Sequence, residues 1–203
     1  KLYIRYGAWQ GKMSVELDDG RAVELPKFHA NYLIPFHILK NSLLCTDFTN
    51  EYTDVSGGDA WAPVYEERGK GFSMVISRSL AGEKILREMA EAGRLDLLPI
   101  AEHEAIDMHS HGYDLKKRGA FIRMKYRSWL GLPNPDYGYS LKGFSTSRYL
   151  MEIVIDALFL ILGTPFSRWF AERIPPSTIG KVFEKARKLW KKSTHNIKRE
   201  ELY

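Results

Sequence analysis

With 203 residues, 44% of them hydrophobic, and a single cysteine, the chain can bury a real core but cannot build a disulfide framework. It carries 30 Lys and Arg against 25 Asp and Glu, but the excess is local. Residues 181–199 hold Lys181, Lys185, Arg187, Lys188, Lys191, Lys192, Lys198 and Arg199 against Glu184 alone, so nucleic acid, which wants basic residues spread over a recognition face, is not an expected partner.

In chain order, Leu2 to Trp9 alternates weakly and reads as a strand. Met13–Leu17 and Ala22–Leu25 alternate cleanly around Asp18-Asp19-Gly20, which predicts a hairpin. Phe28–Leu44 is mixed and aromatic-rich, with a short helix expected to break near Pro35. Phe72–Ser77 predicts a strand. Ser79–Ala92 predicts a helix with Leu80, Ile85, Leu86 and Met89 on one face and Gly93 as its stop. Leu95–Ile100 predicts another short strand and Glu102–Tyr113 a helix. Leu115–Trp129 either resumes that helix after Gly112 or continues it. This order predicts an α+β fold, with a mixed β-sheet, flanking helices and a C-terminal helical appendage.

Gly131, Pro133, Pro135, Gly138 and Gly143 mark residues 131–148 as a linker, either a plain connection or a cover over a bound group. Tyr149–Phe170 is the most apolar stretch. Asp156, Pro165 and Arg168 interrupt it, and a membrane span needs roughly 20 apolar residues. The basic helix that follows carries Val182, Phe183, Leu189 and Trp190. The expected division is an α+β domain over 1–130, the linker over 131–148, and a helical docking module over 149–203. The opening on a strand without an initiator Met predicts the C-terminal part of a longer polypeptide. The lack of a secretory leader pattern and of paired cysteines predicts a cytoplasmic protein, with membrane association through 149–203 left open.

The densest chemistry lies in the tract from Cys45 to Trp61, which packs carboxylates, hydroxyls and Gly57-Gly58 behind the lone sulfur. A core strand would show Val, Ile and aromatic alternation instead. Gly57-Gly58 reads in two ways: a tight turn between strands, or a place where backbone approaches a ligand and offers N–H groups to it.

The same tract resembles the coenzyme F-420 hydrogenase/dehydrogenase beta-subunit family. Those proteins read Cys-x-x-Cys-x-Asp-Phe-Thr, then Ala-Asp-Ile-Ser-x-Gly-Asp, then Gly-x-Ser-x-Val-x-x-Arg. The matches here are Cys45, Asp47, Phe48 and Thr49, then Asp54, Ser56, Gly58 and Asp59, then Gly71, Ser73, Val75 and Arg78. Gly7-Ala8-Trp9-Gln10-Gly11-Lys12-Met13 is similar to the family's aromatic-Pro-Gly-Lys step, with Gln10 in place of Pro. Asp114-Leu115-Lys116-Lys117-Arg118 is similar to its lysine-containing step. The resemblance covers roughly residues 3 to 125.

That resemblance implies a flavin-binding redox domain over 1–130. It implies a flavin-dependent oxidoreductase subunit that passes electrons between iron–sulfur carriers and coenzyme F-420 or another acceptor. Implied cofactors are FAD, coenzyme F-420 as substrate, and a 4Fe-4S cluster only if its ligands come from sequence outside this chain. Implied partners are other oxidoreductase subunits or a ferredoxin-like carrier. Thr49, Ser56, Gly57 and Gly58 are the expected flavin contacts, with Lys12, Lys116 or Lys117 near its anionic part. Asp54 and Asp59 would bind ribose hydroxyls or brace the turn.

Cys45 is the one candidate cluster ligand. The family's other cysteine of the pair falls at Ser42, and a cluster normally takes four thiolates. Cys45 therefore reads either as a remnant ligand or as an inert thiol. His103, Asp107 and His111 recur every four residues, with His109 nearby. Two of them could begin a metal site, or the series is a solvated polar face. Two alternatives stand beside the oxidoreductase reading. One is a redox-inactive docking module; the other is a metal-dependent hydrolase using the His103–His111 segment.

Overall fold

A computed structural model describes residues 1–6, 11–26, 29, 31–61 and 71–199. The aromatic–Gly step at 7–10 lies outside them. The predicted hairpin is present. Strands β1 (Leu2–Tyr6), β2 (Lys12–Glu16) and β3 (Ala22–Pro26) form an antiparallel sheet with Leu2 opposite Val15 and Val15 opposite Val23. The turn closes by Leu17 N–H to Arg21 O at 2.9 Å, and Gly20 supplies the left-handed residue at φ +81°.

The helical run is interrupted near Pro35, as expected: residues 29 and 31 are helical, residues 32–33 turn, and a new helix, α1 (Ile34–His37), carries Pro35 in its first turn, where no N–H donor is needed. Helix α2 (Lys40–Leu44) then leads into the Cys45 tract. Strand β4 (Val55–Asp59) pairs antiparallel with β5 (Ser73–Ser77), with Ser56 opposite Ile76 and Gly58 opposite Met74. The predicted glycine turn is therefore not a turn. Gly57 and Gly58 sit inside β4, opposite Val75 and Met74 of β5, and neither takes a positive φ.

The α+β class read from the sequence is what the structure shows, but the expected single mixed sheet is not: the described strands form two small sheets, both antiparallel. Helix α3 (Leu80–Glu91) starts where Ser79 Oγ accepts Gly82 N–H at 3.0 Å, and Gly93 follows its end at φ +65°. Leu95–Ile100 is not a strand. It runs as irregular chain beside Met74 and Val75.

Helix α4 (Glu102–Tyr113) does not stop at Gly112. It passes through a π-helical segment, Asp114–Gly119, into α5 (Ala120–Trp129). Residues 130–145 are irregular. They lie against the core, with the Phe121 and Tyr139 rings 5.0 Å apart and the Tyr137 hydroxyl donating to Leu44 O at 3.2 Å. Three helices follow: α6 (Thr146–Leu162), α7 (Pro165–Ala171) and α8 (Pro176–Arg199).

Among the described residues, Leu44, Ala120, Phe121 and Met124 form one buried apolar cluster between α2 and α5. Beside it lies a buried ionic cluster. The Arg148 guanidinium grips both oxygens of Asp114, at 2.9 and 3.0 Å, and also donates to Glu152. Arg123 donates to the other Glu152 oxygen, to Leu43 O at 2.7 Å and to Leu115 O at 2.7 Å. Tyr126 donates to Asp156. Arg123 and Glu152 are both 0% exposed. Charges this deep persist only when paired and hydrogen-bonded, and these two pairs balance. They fasten α6 to the π segment and to α5.

Candidate functional site

The strand pair β4–β5 forms one wall of a cavity of about 260 Å³. Ser56, Gly57, Gly58 and Asp59 line it from β4, and Met74 and Ile76 from β5. Phe48, Thr49 and Asn50 close one side, and Trp61 and His109 another. Five of the residues singled out from the sequence, Thr49, Ser56, Gly57, Gly58 and Asp59, thus converge on one space.

Side chains alternate along β4, so Gly58 shares the cavity face with Ser56, opposite Met74 and Ile76, and keeps that face flat, while a Cβ on Gly57 would point to the other face with Val75. A Cβ on Gly58 would meet nothing within 4 Å, and one on Gly57 would meet only Met74 O at 3.9 Å. A side chain added at Gly58 would therefore start into the open volume of the cavity. Packing does not require glycine here, whereas close approach by a bound group would.

Arg78 fixes the wall from behind. Its guanidinium donates to Ser56 Oγ at 2.9 Å and to Thr49 O at 2.8 Å, tying two sides of the cavity together. Asp54 braces: Ser79 Oγ donates to its carboxylate at 2.5 Å, which locks the start of α3 to the β4 entry. Helix α4 supplies His109, whose Nε2 lies 2.7 Å from Asp59 O and therefore carries the proton. The Phe48 ring packs edge-on to His109 and to Tyr113, at 6.0 and 5.3 Å between centroids. Gly112 makes room for it, since a Cβ there would overlap the Phe48 ring.

The lysines stand elsewhere. Lys12 pairs with Glu24 at 2.9 Å on the exposed face of the hairpin. Lys116 donates to Ser42 O at 2.6 Å, and Lys117 pairs with Glu51. Neither Lys116 nor Lys117 lines the cavity; both hold the 42–51 segment from its far side. Burial lowers the Lys117 pKa, against the pull of Asp47 and Cys45 nearby. Cys45 is half-buried, its thiol 3.7 Å from Asp47 O.

One cysteine cannot supply a four-thiolate cluster, so this chain's residues do not fit an iron–sulfur group. The His103–Asp107–His111 series does not converge. Among the described residues no three His, Cys, Asp or Glu side chains are placed to hold a metal. His109, which the sequence places only beside that series, lines the β4–β5 cavity. Arg78 and Asp114 fall in motifs that the sequence marks, but nothing in the sequence shows that Arg78 braces the cavity wall or that Asp114, Arg148, Glu152 and Arg123 meet in a buried cluster.

The sequence pattern of the C-terminal part of the coenzyme F-420 hydrogenase/dehydrogenase beta chain matches residues 2–103, half of the chain. The chain belongs to this family. It is also 32% identical over 93 residues to the beta chain of the coenzyme F-420 hydrogenase of Methanothermobacter thermautotrophicus. That match covers 45% of this chain and 31% of the relative, so the chain spans about a third of the relative's length. No solved structure matches the chain. The family is described by the beta subunit of a coenzyme F-420 hydrogenase/dehydrogenase, and the relative by its name is such a subunit. All β4 and β5 residues of the cavity fall inside the matched region. His109, Lys116 and Lys117 lie beyond it.

Proposed function

We propose that this chain is the flavin-binding part of an oxidoreductase subunit, and that the cavity over β4–β5 takes the ring end of FAD. The observation that carries this is the flat stretch at Gly58, where a Cβ would meet only open space, set beside the Phe48 and Trp61 rings. A planar aromatic group needs a surface without side chains on one side and apolar contact along its edges. The cavity has room for a ring system rather than a whole dinucleotide, so the remainder of FAD would extend outside it.

When bound, the flavin supplies a centre that accepts a hydride or an electron pair and releases electrons one at a time. The chain's own residues orient it and limit water. Ser56 Oγ and Thr49, held by Arg78, offer polar contacts at the wall. His109, with Nε2 committed to Asp59 O, keeps its Nδ1 as a lone-pair acceptor when neutral. Coenzyme F-420 as hydride substrate, and partner subunits or a ferredoxin-like carrier as the electron route, follow from the family as part of the same proposal.

The test is reconstitution of the full-length protein with FAD, read by retained flavin absorbance after desalting. The wild type should retain flavin. Gly58→Val, whose Cβ would meet nothing within 4 Å but whose side chain enters the cavity, should not. Absence of flavin from the wild type would leave the redox-inactive docking reading, which the single cysteine favours. Equal retention by Gly58→Val would move the flavin to another surface.

A further inference from the structure

Helix α6 is inside out for a helix that faces water. Its charged residues Arg148, Glu152 and Asp156 are buried in the ionic cluster. Its opposite face presents Leu150, Val154, Leu158 and Ile161, each more than half exposed. A water-facing amphipathic helix has the reverse arrangement. Helix α7 continues the apolar surface, with Phe166, Trp169 and Phe170 also more than half exposed. A contiguous apolar surface of this kind marks an interaction site.

The surroundings identify what covers it. The Arg173 guanidinium stacks 3.8 Å from the Trp169 ring centroid, so an aromatic ring and a cation stand together at the end of the apolar face. That pairing suits the headgroup level of a bilayer. Helix α8, packed against α6, adds the exposed cations Lys181, Lys185, Arg187, Lys188 and Lys192, with Glu184 the only acid in its sequence. Among the described residues no single helix is long and apolar enough to cross a membrane. Helices α6 and α7 reach that length and composition only together, and they are bent by 72°. A bent apolar pair beside a cationic amphipathic helix suits lying in an interface.

We propose that the outer face of α6 and α7 rests on an anionic lipid surface, with the lysines of α8 drawn to its headgroups. The proposal is independent of the flavin reading, because none of these residues lines the β4–β5 cavity.

The test is flotation of the full-length protein with vesicles of phosphatidylcholine, with and without phosphatidylglycerol. Wild type should float with the anionic vesicles. Each lysine near the surface accounts for roughly a fivefold change in partition, so Lys181→Gln/Lys185→Gln/Lys192→Gln should weaken it on the order of a hundredfold. Val154→Ser/Leu158→Ser/Ile161→Ser should abolish it while the thermal midpoint holds. Brominated lipid should quench tryptophan emission in wild type and distinctly less in Trp169→Phe. If the serine variant fails to fold, the lysine variant and the quenching still decide. The proposal falls if wild type floats with neither vesicle type. It falls also if flotation ignores the lysines, or if the face is buried in a stable protein assembly that does not bind vesicles.

Discussion

Replacing Glu152 by Gln keeps the shape of the side chain and removes the charge that two arginines share. Glu152 is 0% exposed and receives hydrogen bonds from Arg123 and Arg148 through separate oxygens. Each charge-assisted bond contributes about 1.5–3 kcal/mol, and an amide offers only one acceptor oxygen. One guanidinium must then face an N–H group in a dry site. Removing one partner of a buried pair costs about 3–5 kcal/mol, in the same range as two such bonds. For a chain of this size 1 kcal/mol shifts the melting midpoint by roughly 2–4 °C, so Glu152→Gln should melt on the order of 6–20 °C lower. Circular dichroism melts of wild type, Glu152→Gln, Arg123→Met and the double variant form a cycle. The double variant should lose less than the sum of the singles, because each single variant strands a charge. A loss below about 1 kcal/mol for Glu152→Gln would refute the view that this cluster fastens α6 to the domain.

Arg78→Met should weaken flavin retention at least about tenfold, or ~1.4 kcal/mol, while helix content holds, since it frees Ser56 and Thr49 from each other; equilibrium dialysis with FAD reads it. Gly112→Ala should lower the melting midpoint: overlap with Phe48 costs about 1–3 kcal/mol and outweighs the ~1 kcal/mol that alanine adds to a helix. A raised midpoint would mean that Phe48 moves aside freely. Burial first, and then the hydrogen bond and charge of Asp156, hold the Tyr126 pKa well above the ordinary tyrosine range. The folded state therefore keeps a proton that the unfolded chain releases above pH about 10, and stability is lost as pH rises beyond that point. Urea melts across alkaline pH should show a shallower loss in Tyr126→Phe, and an identical slope would count against the assignment.

The hairpin and α3 were legible because their signals are local. Asp-Gly between alternating runs, and Ser79 before an amphipathic stretch ending at Gly93, need no tertiary information. Thr49, Ser56, Gly57, Gly58 and Asp59 were legible as a set, since they stand close in sequence and do converge on one cavity. Their geometry was not. Gly57-Gly58 looks like a turn to any local rule, and only pairing with Val75 and Met74 makes it a strand. Leu95–Ile100 has strand composition but pairs with no strand among the described residues, so its pattern is overridden. The lysines were misplaced for a related reason: Lys116 and Lys117 lie in a π-helical turn, which widens the helix and changes which side each residue faces.

Helix α6 shows the same limit more sharply. Sequence hydropathy registers that Leu150, Val154 and Leu158 are apolar and that Glu152 and Asp156 form an acidic stripe; it does not register which face turns inward. The ionic face won because Asp114, Arg123 and Tyr126, all on the preceding helical run, present matching partners. Arg123 then carries the connection further. The same guanidinium that holds Glu152 also holds Leu43 O, just before the tract that supplies Phe48 and Thr49 to the cavity. Lys116 on Ser42 O and Lys117 on Glu51 add two further ties to that segment from the same π-helical turn. The cavity wall is therefore as firm as the buried cluster behind it. Loosening Arg123 should be felt at Phe48 and Thr49 before it is felt at β4, whose ladder to β5 holds without it.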